Sequence, residues 1–176
     1  MYGEGDQRYI GSSLERIAMS KGQSQRVGKG LTRVSDSYVG NIAWAHILAM
    51  EKMLAPSEDA IFGQAYFVGD HPAMNPFDLI EIFKLRCGFK TKPETIPFKP
   101  LYHLLALLER VASTVHPLAK IELPSNTSGL QYICSDYVFS DALFREKFGY
   151  QPLYSFNESI ENSSQYYSSL YYPGQS

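Results

Sequence analysis

The chain has 176 residues, 44% of them hydrophobic and 14% aromatic, which is enough for one globular domain with its own core. Its 16 basic and 18 acidic residues leave a net charge of −2 with no sustained run of one sign, which argues against a nucleic-acid-binding protein. Cys87 and Cys134 have no CxxC spacing and no neighbouring histidine pair, so they read as free thiols and not as a zinc site or disulfide framework.

"MYGEGD" at the start is a glycine-punctuated loop. No basic segment followed by an apolar run is found there, so a secretory leader is not expected, and the N-x-S/T sequons at Asn126, Asn157 and Asn162 read as chance. Ser12 or Ser13 suits the cap of a short helix through Leu14, Ile17 and Ala18 that ends near Gly22. Arg26 to Arg33, with Gly28 and Gly30, reads as a turn between short strands. Val34 to Val39 is then extended, and Asn41 is placed to cap a helix from Ile42 to Leu54 with Ile42, Ala45, Ala49 and Met53 on one stripe. Pro56 ends that helix, and Ser57-Glu58-Asp59 is a solvated loop.

Gly63 to Val68 is a short aromatic and β-branched run that suits a buried strand of a largely parallel sheet. Asn75-Pro76-Phe77-Asp78 announces a helix, with asparagine at the cap, proline at the first helical position and an acid facing the dipole. Leu79, Ile80, Phe83 and Cys87 give its apolar face, and Gly88 stops it. From Pro97 to Ala119, apolar residues recur at helical spacing between Leu101 and Val115, but Glu109 and Arg110 interrupt the run, so it is not expected to span a membrane. It is expected to pack against the rest of its domain. Tyr132 to Phe139 reads as a strand, and Ser140 caps a short helix ended by Gly149. Ser155-Phe156-Asn157-Glu158 is a capping box opening the last helix. Residues 166–176 read as a flexible tail after a domain at 1–165.

Four stretches in order carry a family resemblance: "YGEGD" from Tyr2, "YVGNIAWAHILA" from Tyr38, "GQAYFVGD" from Gly63 and "FSDALFREKFGYQPLYSF" from Phe139. They resemble the 3β-hydroxysteroid dehydrogenase/Δ5-Δ4 isomerases, members of the extended short-chain dehydrogenase/reductase superfamily. The second stretch is the most specific. In that family the first loop follows a central strand ending in Arg-Pro, which is not present here, so Met1 is expected to be an internal methionine of a longer protein.

The chemistry the family needs is not written in this chain. A dinucleotide cradle is a glycine-rich turn between a strand and a helix, and neither Gly3 with Gly5 nor Gly28 with Gly30 has the third glycine or that context. None of the 13 tyrosines has a lysine four residues on, so the family's acid/base pair maps to no residue. His46, His71, His103 and His116 are scattered without metal-ligand spacing, and there is no G-x-S-x-G elbow. Asp70 and Asp78 read as structural acids at a strand end and a helix start.

The expected fold is α/β, the substrate-binding portion of an extended short-chain dehydrogenase without its nucleotide-binding half, with a few strands and about five helices. The resemblance implies NAD(P)-dependent oxidation of a steroid 3β-hydroxyl to a ketone, with or without Δ5-Δ4 isomerisation, and NAD or NADP as cofactor of the family. It also implies a steroid pocket or its approach at Tyr2, Gly3, Tyr38, Asn41 and Trp44. For Asn41 the cap is the first reading, and for Tyr38 and Trp44 core packing competes. The chain alone is expected to be inactive. It implies an intracellular location, on the endoplasmic reticulum or mitochondrial membrane surface through the Leu101 to Val115 helix, and otherwise the cytoplasm. A non-catalytic sterol- or partner-binding fragment is one alternative. Another is a different extended dehydrogenase, of the sterol-4-carboxylate dehydrogenase or sugar-nucleotide epimerase type. The oligomeric state is not legible.

Overall fold

A side chain outside the first helix starts it. In the computed structural model, which describes residues 1–28, 30–54, 61–115 and 126–171, the Asp6 carboxylate accepts from the N–H groups of Arg8, Tyr9, Ile10 and Gly11 at 2.8–3.3 Å. Helix α1 then runs Ile10–Met19 and buries Ile10, Leu14 and Ile17, the one-turn and two-turn spacings of a single face. Ser12 and Ser13 lie inside α1, not at its cap, and their hydroxyls donate to the Arg8 and Tyr9 carbonyls. The capping group is instead the aspartate four residues ahead of the helix, which takes the donors from Arg8 to Gly11.

Strand β1, Gln25–Val27, pairs in parallel with β2, Glu94–Ile96, with Gln25 opposite Glu94 and Val27 opposite Ile96. The expected turn after Val27 therefore does not join neighbouring strands; the partner is almost seventy residues on, across the crossover that parallel pairing requires. Single bridges complete the layer: Tyr2 with Tyr38, and Val34 with both Met74 and Tyr137. Neither of the two other expected strands forms a ladder, and of Tyr132 to Phe139 only Tyr137 makes a bridge. Among the described residues, Gln64 to Val68 has no backbone ladder partner, and a strand exists only as one of a pair. Tyr66 and Val68 pack inward, while Phe67 lies 57% exposed, stacked on Phe139 at 4.3 Å. Tyr132 and Ile133 belong to helix α5, Thr127–Ile133, because Asn126 caps it by accepting from Gly129 N–H.

Helix α2, Val39–Leu54, begins at Val39, so Asn41 sits inside its first turn and is not its cap. Ala45 is buried, but Met53 is exposed and leaves the expected stripe. Helix α3, Pro76–Arg86, follows the expectation: the Asn75 side chain accepts from Phe77 N–H at 3.0 Å, Pro76 is at the first position, and Leu79, Phe83 and Cys87 are fully buried. Helix α4, Phe98–Val115, buries only Leu105, contrary to the expected packing of its stripe. Helix α6, Ala142–Phe148, has Asp141 at its cap position, while Ser140 Oγ accepts from Ala142 N–H. It ends at Gly149, whose φ of 65° suits glycine. Helix α7, Phe156–Tyr171, carries the expected capping box: Ser155 N–H and Oγ–H both donate to Glu158, and Glu158 N–H to Ser155 Oγ. It runs past residue 166 to Tyr171 and buries Tyr167. The expectations for Pro56, for Ser57 to Asp59, for the helix beyond Val115, for His116 and for the last five residues lie outside the described residues.

Seven helices and one parallel pair among the described residues make an α/β fold with two cores. The larger joins α1, α3 and α7 through Ile10, Leu14, Leu79, Phe83, Ile160 and Tyr167, and takes in Tyr2 and Tyr38. Each fully buried aliphatic or aromatic side chain there contributes about 1.5–3 kcal/mol. The smaller core joins α2 and α6 through Ala45, Phe144 and Tyr150.

Candidate functional site

The loop from Tyr2 to Asp6 is tied down at both ends. Tyr2 N–H donates to the Ser37 carbonyl at 3.0 Å and Val39 N–H to the Tyr2 carbonyl at 2.8 Å, which holds the loop along the residues leading into α2. Gly3 N–H donates to the Tyr167 hydroxyl, which itself donates to Asp6, both at 3.1 Å, so α7 closes the other side. Gly3 has φ of 125°, and a Cβ there would stand 2.6 Å from Val39 Cγ1 and 3.0 Å from the Tyr38 ring. Only glycine fits.

Asn41 is fully buried and acts as a three-way clamp. Its Nδ2 donates to Asp70 Oδ2 and to the Tyr154 carbonyl, both at 2.9 Å, while its Oδ1 accepts from Tyr154 N–H at 2.8 Å. This corrects the cap reading: the side chain is spent on two distant segments and none of it on its own helix. Asp70 Oδ2 also accepts from Tyr38 N–H at 2.7 Å, so one carboxylate fixes both residues at the start of α2. Tyr38 is 4% exposed, edge-on to Tyr154 at 5.5 Å, with its hydroxyl donating to Glu4. Of the five expected pocket residues, the fold brings Tyr2, Gly3, Tyr38 and Asn41 together. Trp44 stands apart, half-buried against the Ala45, Phe144 and Tyr150 core.

Beside this cluster lies an open cleft of about 530 Å³, walled by Met1, Tyr2, Glu4, Gly5, Tyr9 and Val39 among others, within the range of small-molecule sites. A second depression of about 560 Å³ runs along α4 from Tyr102 to Thr127 and touches none of the expected residues. Burial pushes the Tyr2 phenol above its ordinary range, helped by the Asp70 charge. Burial and the bond to Glu4 push the Tyr38 phenol up to about 12. Both stay protonated at neutral pH, the opposite of a tyrosine prepared as a base. The cleft can bind and orient; it does not itself present a base among these phenols.

Asp6, Asp70, Tyr154 and Tyr167 complete the cluster, and sequence reading gave none of them a site role. Burial alone would raise the Asp6 carboxyl, but the N–H donors of Tyr9, Arg8, Gly11 and Ile10 outweigh it and hold the group below its ordinary value. Its folded value is depressed, so its stabilisation is present above the unfolded value of about 3.9 and is lost as pH falls through the lower folded value. Acid denaturation curves should therefore show a smaller loss of stability below about pH 4 in Asp6→Asn than in the parent. Asp6 also decides the cofactor question locally. Gly3 and Gly5 precede a helix, but the donors at that N-terminus are already held by a carboxylate, which repels a pyrophosphate. The residues there do not fit a dinucleotide phosphate cradle.

The description "3-beta hydroxysteroid dehydrogenase/isomerase family" fits residues 1–98, which contain the loop, α1, Tyr38, Asn41, Asp70 and α3. A 2-alkyl-3-oxoalkanoate reductase of Stenotrophomonas maltophilia (strain K279a) is 30% identical over 162 residues, covering 91% of this chain and 47% of the relative. The chain thus spans about half the length of that curated relative. Two solved structures share the fold: a UDP-glucuronic acid 4-epimerase from Bacillus cereus in complex with NAD, at TM-score 0.58 and 12% identity, and a UDP-galactose 4-epimerase at TM-score 0.58 and 13% identity. They match 97% and 96% of this chain and 42% of their own chains.

Proposed function

The chain belongs to the 3-beta hydroxysteroid dehydrogenase/isomerase family, and on that premise we propose that it is the substrate-binding portion of an NAD(P)-dependent oxidoreductase acting on a hydroxyl or ketone of a largely apolar molecule. A steroid 3β-hydroxyl, oxidised to the 3-ketone with or without Δ5-Δ4 isomerisation, is the first substrate to try. The observation that carries this reading is the family match across the residues that build the cleft. The likeness to the Stenotrophomonas 2-alkyl-3-oxoalkanoate reductase supports an oxo or hydroxyl group on a largely apolar substrate. A sugar-nucleotide substrate is less suited to this cleft, because a diphosphate wants cationic partners and Glu4 and Asp6 oppose the single Arg8.

The nicotinamide cofactor belongs to the whole activity, while the loop at Gly3 and Gly5 does not build the cradle for its phosphates. Purified 176-residue protein is accordingly expected to bind a labelled 3β-hydroxysteroid saturably without forming NADH. NADH formation above a no-enzyme control would place the chemistry in this chain and overturn the assignment.

A second reading concerns α4, where Leu104, Leu107, Leu108 and Val111 are 39–59% exposed. Lys99 and Arg110 lie to one side of this stripe, and Glu109 is turned to Thr127 by two hydrogen bonds. No helix among the described residues is long and apolar enough to cross a membrane. An apolar face with cations along one side suits an interfacial helix lying on an anionic membrane surface, such as that of the endoplasmic reticulum or a mitochondrion. Co-sedimentation with phosphatidylserine-containing vesicles is expected, and should fall in Leu104→Ser/Leu107→Ser; equal recovery in the supernatant with and without vesicles removes this contact.

A further inference from the structure

Asp70 and His71 are neighbours in sequence, and their side chains are 3% and 4% exposed. Asp70 Oδ2 is fully used by Tyr38 N–H and Asn41 Nδ2, but Oδ1 has no hydrogen-bond partner. His71 Nε2, 3.6 Å from that oxygen, also has none. The other ring nitrogen, Nδ1, lies 2.9 Å from the Pro72 carbonyl, which can only accept, so Nδ1 carries a proton. In a neutral imidazole Nε2 would then point a lone pair at a carboxylate oxygen. The ring is enclosed by Phe156 at 4.8 Å and Tyr2 at 6.2 Å, which leaves such a repulsion poorly screened.

We infer that His71 is an imidazolium paired with Asp70, and that this buried pair is the positioning device for the Tyr38 to Asn41 start of α2. The inference rests on the proposed function for its relevance, since the residues positioned are those beside the substrate cleft. The proton belongs to the ring and not to Asp70, because two N–H donors already stabilise the carboxylate form on Oδ2. A second buried acid favours the same state: Asp36, 5% exposed, lies within electrostatic reach of His71. Its Oδ2 accepts from Tyr9 and its Oδ1 is 3.9 Å from the Met1 amine. From the other elements packed against the ring, Tyr2 presents a protonated phenol, and α7 presents Phe156, which carries no charge.

Two-bond ¹H–¹⁵N correlation spectra of the parent at pH 7 test the charge directly, without substrate. Both His71 ring nitrogens should read as protonated; a bare Nε2 overturns the inference. Positioning is read at Trp44, the chain's one tryptophan, a single helical turn beyond Asn41. His71→Gln leaves an uncompensated buried carboxylate, so Trp44 emission should shift to the red and be quenched more readily by acrylamide. Asp70→Asn/His71→Gln removes both charges and should recover part of that shift. A double variant no closer to the parent than His71→Gln, or a single variant with parent emission, refutes the positioning role. A failure of steroid binding would leave all three readings unchanged, so the two proposals fail separately.

Discussion

Asn41→Ala should lower the unfolding free energy by about 3 kcal/mol, because it leaves Tyr154 N–H, the Tyr154 carbonyl and one acceptor site of Asp70 without their partner, at about 1 kcal/mol for each part-buried group. Loss of a simple helix cap costs about 1 kcal/mol. Urea titration at equilibrium therefore separates the clamp from the cap by magnitude. Asn41→Asp gives a second, sharper contrast. It keeps the acceptor for Tyr154 N–H but sets a second carboxylate against Asp70, so it should be no better than alanine. A loss near 1 kcal/mol in the alanine variant would mean that the segments at Asp70 and Tyr154 hold without their link.

Gly3→Val should be the most damaging change in the loop. Its backbone at φ 125° is strained for any L side chain, and the first added carbon would overlap Val39 and the Tyr38 ring. Strain and overpacking together are expected to cost about 3 kcal/mol or more and to abolish ligand binding in the cleft. Gly5→Ala is the control. Gly5 also has positive φ, at 84°, but nothing lies within 4 Å of its added Cβ, so it should carry only the conformational cost of about 1–2 kcal/mol. Chemical denaturation of the pair isolates the contact from the strain, and equal losses would show that the loop is not held against α2.

What could be read from the sequence was local. Asn75-Pro76 and Ser155-x-x-Glu158 announce helix starts because cap and donor are within three residues, and Gly149 ends α6 through its own backbone. The roles that decide the candidate site are not local. Asn41 reaches across 29 residues to Asp70 and 113 to Tyr154, and a cap and a clamp look alike in one dimension. The strand expected at Gly63 to Val68 had the right composition, but composition cannot supply a pairing partner. The end of helix α7 past residue 166 was not legible because a Tyr/Ser-rich run reads as solvent-facing, whereas Tyr167 lies fully buried in the larger core. Ser163 and Ser164 satisfy their hydroxyls on the carbonyls one turn back, which lets small polar residues lie against α1 and α3. The Leu101 to Val115 stripe was legible as a helix, but which face its fold would cover was not, and most of it stays open.

The central claim is that this chain shapes a substrate cleft and leaves catalysis to groups it does not contain. Equilibrium binding of a tritiated 3β-hydroxysteroid to the purified chain, with Gly3→Val in parallel and NADH absorbance followed in the same samples, tests it most directly. The account predicts saturable binding by the parent, none by the variant and no NADH from either. Binding that is absent from the parent or unchanged by the variant, or NADH that rises with protein concentration, would contradict it.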